Sequence, residues 1–455
     1  MTTNCAFLEN ELMDVARLFK TRPFEVLHNF RFENGVFFNE FIVDGEKFFF
    51  ENEGETKDEI EFKRLERRFA KLGFYAILSK KYDQTMPWGA LTGIRPTKLA
   101  YTEKENGRNF KELFNLMQVS SENTLLVERV LKAQEGIYER KDDNTDLFVS
   151  IPFCPTKCAY CSFITAPIDK TRCFLPEYLN CLEREIKESR SLIGNLRSIY
   201  IGGGTPFALS VDELEKVLKP LDEFVGVEYT VEAGRPDVFS KEKLRLLKEH
   251  GVTRVCINPQ TFSDETLKLI GRKHTVADVY KAFEMIDGMG FDVNVDLIAG
   301  LESETVKTFS LGVQKAVETG AENITVHCLS LKSGAKLKEE CSYIENDSIS
   351  EMIKSSREIL TSAGYEPYYM YRQKYQAGNN ENVGWTKKGK ACVYNVDIME
   401  ETADNLALGS NAVSKRVFTE KNKIERFASP KDLKTYLEKI DEIIEKRAKF
   451  FQKEL

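Results

Sequence analysis

Between about residues 147 and 330, short β-branched and apolar runs alternate with longer stretches whose apolar positions recur every three or four residues. The runs at 147–151, 198–201, 228–231, 254–257, 293–298 and 323–327 predict strands. The stretches at 177–190, 212–218, 241–250, 276–289 and 305–319 predict amphipathic helices, with Leu244 and Leu247, or Met285 and Met289, marking the spacing. Gly251, Gly290 and Gly320 each follow a helical stretch and precede a strand, where a left-handed C-cap belongs. Such regular alternation requires crossover connections and therefore a parallel sheet. Six units at this spacing suit an α/β fold with a partial (β/α)6 barrel better than a complete eightfold one, which predicts functional residues at the C-terminal ends of the strands.

The flanks have a different pattern. Residues 1–140 are rich in Phe and Glu, with hairpin-like runs around 37–51 and a basic helical segment at 61–72, and predict an N-terminal α+β accessory region. A charged linker at 140–146 separates it from the core. Downstream, 351–363 predicts a helix ended by Gly364, 365–371 an aromatic strand, and 378–389 a loop rich in Gly and Asn. Residues 430–455 predict a charged amphipathic helix. The expected organisation is thus an accessory region at 1–140, the partial barrel at 141–365, and a short C-terminal extension at 366–455 that closes the core.

Composition narrows the class. Of 455 residues, 42% are hydrophobic and 30% charged, the profile of a folded globular chain. No run approaches the ~18 apolar residues of a membrane span, and the opening segment lacks the pattern of a secretory leader, so a cytoplasmic location is expected. The net charge of −7 argues against general affinity for nucleic acid, though it leaves room for a local basic pocket that takes an acidic small molecule. Ten cysteines are present, and without a leader they point to metal or redox chemistry rather than a disulfide framework.

Only one tight cysteine cluster exists, SIPFCPTKCAYCSF, directly after the first predicted strand. It sets Cys154, Cys158 and Cys161 in a C-x3-C-x2-C array. Soft thiolates suit zinc or iron–sulfur clusters. A structural zinc site closes with a fourth nearby ligand, whereas Cys173 lies twelve residues beyond the third cysteine. A [4Fe–4S] cluster usually takes four cysteines; held by three, it keeps one iron open for a small chelating ligand. A zinc knuckle or chance thiols are the plain alternative.

The array, with Tyr160 just before the third cysteine, resembles the hallmark of the radical S-adenosylmethionine (SAM) superfamily. The IPFC lead-in and the later GGGTP at 202–206 resemble, within it, the oxygen-independent coproporphyrinogen-III oxidase family, over about residues 147–415. The resemblance implies a [4Fe–4S] cluster on Cys154, Cys158 and Cys161, with SAM chelating the open iron. It implies SAM contacts from Tyr160, from the glycine turn at Gly203, Gly204 and Thr205, and from Glu232, Gln260, Arg272 and Asp296. Carboxylates there would accept ribose hydroxyls and the arginine would pair with a carboxylate. Phe148, where the family usually has Tyr, with Ser330 and Val413, match weaker family positions. His274 and His327 flank these motifs and are given no catalytic role.

WGALTGIRPTK (88–98) and MYRQKYQAGNNENVGW (370–385) look like the HemZ-type coproporphyrinogen dehydrogenase branch. They offer Arg95, Lys98, Arg372 and Lys374 as clamps for a tetrapyrrole with several carboxylates. After the third cysteine, however, Ser162, Phe163 and Ile164 stand where the best-understood branch has Gly, Cys and Asn. The chain also stops soon after the core. The implied reaction is oxidative decarboxylation of coproporphyrinogen III by a 5′-deoxyadenosyl radical, with an electron donor such as flavodoxin or ferredoxin. A heme chaperone of the same family and a tetrapyrrole-directed methyltransferase are the alternatives.

Overall fold

Asn34-Gly35 and Asp44-Gly45 both take positive φ (50° and 81°, 48° and 85°), the pair of left-handed residues that a tight hairpin turn needs. They join β1 (Val26–Glu33), β2 (Val36–Val43) and β3 (Glu46–Glu53) into an antiparallel meander. Burial in β2 alternates residue by residue, so one face meets solvent and the other carries Phe37 and Phe41. That inner face packs on α2 (Glu59–Tyr82), with Phe37 against Phe69 and Phe41 stacked on Phe74 at centroid distances of 5.3 and 5.5 Å. Asp58 caps α2 by accepting the Glu61 amide at 2.7 Å. α1 (Ala6–Ala16) lies along α2 and buries Leu8, Leu12 and Val15.

The computed structural model describes residues 1–19, 25–93, 95–161, 166–224, 226–330, 347–373, 379–419 and 423–452. They form two compact units, Met1–Glu128 with Arg372–Asn380, and Arg129–Tyr371 with Glu381–Leu455.

The second unit is the α/β body. Its predicted strands are all present, as β4 (Asn144–Ile151), β5 (Asn195–Gly203), β6 (Glu228–Gly234), β7 (Arg254–Gln260), β8 (Asp292–Ala299) and β9 (Asn323–Cys328). Each is parallel to the next. Between them run α3 (Leu175–Glu188), α4 (Val211–Leu218), α5 (Lys241–Glu249), α6 (Val276–Ile286) and α7 (Val306–Glu318). Gly251, Gly290 and Gly320 have φ of 76°, 72° and 79°, as their place after helices required.

Two expectations need correction. The stretch 378–389 is not all loop, because Asn382–Thr386 is a fully buried strand. With Glu366–Tyr371 as β10 and this strand as β11, the order β10-β11-β9 extends the sheet antiparallel at one edge. Gly384 makes that possible: a Cβ there would lie 1.8 Å from the Tyr369 ring, which covers the glycine. At the other side, β12 (Asp404–Leu408) adds a further parallel strand beside β4, followed by the antiparallel pair β13 (Val413–Phe418) and β14 (Lys423–Ala428). The sheet therefore has 11 strands in linear order among the described residues, the six expected core strands extended at both edges. Finally, the tail forms two helices, α8 (Leu433–Glu438) and α9 (Ile440–Gln452), rather than one. No described helix is long and apolar enough to cross a membrane.

A buried ion pair fixes that tail. Arg447 and Glu185 are both wholly inaccessible and paired, while Glu185 also accepts from Tyr436 Oη at 2.6 Å and from the Gly409 amide at 2.8 Å. Ser150, at the end of β4, donates to the Ser410 carbonyl at 2.8 Å, and Tyr178 donates to the Ser150 carbonyl at 2.7 Å. The Gly409–Ser410 turn after β12 is thus stitched to the strand that leads into the cysteine loop.

Candidate active site

The cysteine loop leaves β4 at Ile151 and is fastened on several sides. Phe153 and Cys154 pair with Ala166 and Pro167, and the Ala159 amide donates to the Ile270 carbonyl at 3.1 Å. The glycine turn after β5 braces the lead-in. The Gly204 amide donates to the Ile151 carbonyl and the Thr205 amide to the Phe153 carbonyl, each at 2.7 Å. A Cβ on Gly204 would meet those same two carbonyls at 2.7 and 2.6 Å, so only glycine allows the approach. These two amides, expected to face a ligand, are spent within the loop. Gly203 (φ 99°) makes the turn.

The Cys154 and Cys158 side chains are buried and Cys161 is half-buried. Burial pushes the Cys154 thiol up to about 11, with a contact to Thr205 Oγ1 at 3.3 Å working the other way and the charges of Cys161 and Cys158 adding to the rise. A thiol held that high becomes a thiolate when a metal takes the proton's place. Among the described residues, no three His, Cys, Asp or Glu side chains are drawn together tightly enough to hold one metal ion. Three mutually interacting thiols on a braced loop fit the cluster.

Tyr160 turns inward onto Leu267, Ile270, Ile298, Leu301 and Leu329. Arg272, buried itself, donates to Tyr160 Oη at 2.9 Å and to the Asn258 carbonyl, and also hydrogen-bonds Cys158. Its Nε has no partner. Arg272 thus grips the cysteine loop from the strand β7 side. Gln260 ends β7 with φ 70°, a left-handed conformation unusual outside glycine and characteristic of strained functional positions.

Glu232 and Asp296 face each other across β6 to β8. Glu232 accepts from Tyr200 Oη and from Asn258 Nδ2 (2.7 Å), yet burial, reinforced by the Asp296 charge, pushes it up to about 7. For Asp296 burial is outweighed by His327, Asn294 and Thr325, which hold its carboxyl below the usual range. His327 Nε2 lies 3.8 Å from Asp296 and its Nδ1 lies 3.1 Å from Tyr371 Oη. Two neighbouring carboxylates with separated affinities can hold one proton between them near neutrality.

The remaining expected residues are scattered. Phe148 on β4 stacks with Tyr200 and Tyr394 at 6.2 and 6.3 Å. Ser330, just past β9, keeps an unbonded buried hydroxyl, and Val413 at the start of β13 is exposed. Arg95 and Lys98 stand at the N-terminus of the helix Pro96–Glu105 in the first unit. Arg372 is buried, with its guanidinium on the Leu91 and Gly93 carbonyls and over the Trp88 ring. It holds the 88–93 segment in shape. Lys374 lies outside the described residues.

Two site residues escaped the sequence reading. Tyr200 is an ordinary strand residue until the fold turns it onto Glu232. Arg235 follows Glu232 by three, is buried, pairs with Asp237 at 2.8 Å and donates to Thr156 inside the cysteine loop. Its place in EAGRPD at a strand end was the available signal. His274 is buried with neither ring nitrogen bonded, and burial, aided by Arg272, lowers it to about 4, so it is neutral.

The Radical SAM superfamily model matches residues 148–310. An oxygen-independent coproporphyrinogen-III oxidase-like protein, HemZ, of Bacillus subtilis (strain 168) is 35% identical over 389 residues, which span 81% of this chain and 77% of that protein. The heme chaperone HemW of the same strain is 39% identical over 197 residues, 40% of this chain and 49% of its own length. Among solved structures, coproporphyrinogen III oxidase (HemN) from Escherichia coli aligns with a TM-score of 0.54 at 21% identity, over 69% of this chain and 72% of its own, a likeness of fold. With the braced three-cysteine loop and the carboxylate pair on β6 and β8, these likenesses place the chain in the radical SAM superfamily, within the oxygen-independent coproporphyrinogen-III oxidase family of HemZ type.

Proposed function

We propose that the protein is a radical SAM oxidoreductase that converts coproporphyrinogen III to protoporphyrinogen IX by oxygen-independent oxidative decarboxylation. The observation that carries this reading is the three-cysteine loop, gripped by Arg272 through Tyr160, together with the Glu232–Asp296 pair. A [4Fe–4S] cluster on Cys154, Cys158 and Cys161, with SAM bound to it, would supply the radical that takes a hydrogen atom from a substrate propionate.

The chain's own residues bind and orient. Glu232 and Asp296 accept sugar hydroxyls, and Arg272 keeps its loop-gripping position. The glycine turn at Gly203, Gly204 and Thr205, with Gln260 and Phe148, shapes the floor on which the cofactor lies. Ser330 and Val413 belong to the same set at its rim. Arg95 and Lys98 offer cations to substrate carboxylates, with Lys374 as a third, while Arg372 acts by holding the 88–93 segment. In this reading 141–365 carries the chemistry, 1–140 is an accessory region and 366–455 closes the core. The location is cytoplasmic, and a flavodoxin or ferredoxin gives the electron.

A second reading, a heme chaperone without turnover, draws support from the 39% identity to HemW over 197 residues. Anaerobic incubation of the reconstituted protein with SAM, a reductant and coproporphyrinogen III separates the two. Protoporphyrin after oxidation supports the oxidase. Stoichiometric heme binding with no decarboxylated product replaces it with the chaperone.

A further inference from the structure

The first unit contains a cavity of about 500 Å³ between α1, α2 and the 91–117 segment, a volume suited to a small molecule. Its wall is cationic. Arg64, Arg67, Arg68 and Lys71 all project into it from α2. The pairs 64/68 and 67/71 are each one helical turn apart, roughly 6 Å. The floor is apolar, made by Leu99, Leu113 and Met117.

The local carboxylates do not match these cations. Glu11 is shared by Lys71 at 2.9 Å and Arg67 at 4.0 Å, and Asp14 is taken by Arg17 at 3.0 Å. Glu103 reaches Arg68 at 3.6 Å but lies closer to Arg108, at 2.7 Å. Arg64 has no carboxylate within ion-pairing distance among the described residues. Burial holds the Arg68 guanidinium below its ordinary value, with Arg64 and Arg108 pushing the same way against Glu103. This cationic concavity sits in a chain whose net charge is −7.

We propose that this groove binds an amphipathic polycarboxylate, a flat apolar body carrying at least two carboxylate arms. The Arg64/Arg68 guanidinium pair, with Arg67 and Lys71 one turn apart beside it, matches two carboxylates, which a single-headed fatty acid would not use. The apolar floor disfavours a bare phosphate or a nucleic-acid backbone, neither of which buries apolar surface. Resting on the tetrapyrrole reading above, the ligand is a carboxylate-bearing tetrapyrrole, and the groove's lining residues all belong to the first unit.

The test uses the full chain carrying Cys154→Ala, Cys158→Ala and Cys161→Ala, which removes the cluster. Coproporphyrin III, stable in air, is titrated while porphyrin absorbance and tryptophan fluorescence are followed. One equivalent binds, affinity falls as salt rises, and Arg64→Ala/Arg68→Ala weakens binding at least tenfold with unchanged circular dichroism. Arg64→Lys/Arg68→Lys, which keeps charge and helix propensity, loses less and serves if the alanine pair misfolds. Equal affinity in both double variants, or equal binding of coproporphyrin tetramethyl ester, overturns the site. Turnover tests the other reading separately. An inactive protein that still binds the porphyrin through Arg64 and Arg68 rejects the oxidase and keeps the groove. An active protein whose porphyrin binding ignores both arginines does the reverse.

Discussion

The meander of the first unit and the parallel sheet of the second handle polar residues in opposite ways. In β2 inward and outward positions alternate, so Glu and Lys of the meander lie toward water, and the inward Asn39 is matched by a single partner, His28, at 3.0 Å. In β7 every residue is buried, including Arg254, Asn258 and Gln260. A polar group in such a strand must find a protein partner. Asn258 accordingly serves both Glu232 and Arg272, while Arg254 pairs with Glu228 at 3.2 Å. Chemistry accumulates at the end of the doubly covered sheet because its polar residues are already connected to one another. The first unit instead keeps its cations on a helix face, where they are available to a ligand.

Substitutions can break this contrast. The largest effect is expected from Cys158→Ala, which removes one of three thiolates. Cluster absorbance and SAM cleavage are both abolished while the far-ultraviolet circular dichroism of the α/β body is retained; a variant that still cleaves SAM at the native rate would rule out the ligand set.

Two structural substitutions should be similar in size and opposite in consequence. Phe41→Ala empties the meander core and costs about 3–5 kcal/mol in denaturant titration, yet leaves cluster loading per folded chain unchanged. Arg447→Ala strands the buried Glu185 carboxylate at a cost of about 3–5 kcal/mol, and because Glu185 holds Gly409 beside β4, cluster loading falls as well. If the two variants lost cluster equally, the separation of roles between the units would fail.

The smallest effect is on pH dependence. Glu232, raised to about 7, favours the folded state while protonated. That stability is fully present below the ordinary glutamate range and is lost as pH rises through about 7. Melting temperature should therefore decline across that window in the wild type, and Glu232→Gln should flatten the decline. An identical pH profile in the variant would assign the titration to another group.

Much of this was legible in the chain itself. The strands of the α/β body follow from runs of β-branched residues separated by helix-length stretches, and the cysteine array marks a metal-binding loop, its iron–sulfur chemistry being what the family resemblance implies. Local signals failed where burial was decided from a distance. The segment at 382–386 reads as loop because of its Asn and Gly, but Gly384 is there to receive the Tyr369 ring. Arg372 reads as a substrate clamp because cations suit carboxylates; folded, it is committed to the Leu91 and Gly93 carbonyls. Arg64 and Arg68 look like a solvated helix face until Leu113 and Met117 close a cavity beneath them.

The sequence by itself determined the order of strands and helices, the hairpin turns at Asn34-Gly35 and Asp44-Gly45, and the clustering of three cysteines on one loop. Each depends on residues close together along the chain, where backbone preference and periodicity act directly. Only the tertiary structure decided which carboxylate holds a proton, which arginine is spent on backbone carbonyls, and which cations share one cavity. Those outcomes depend on desolvation and on partners brought from tens to hundreds of residues away, as with Glu185 and Arg447.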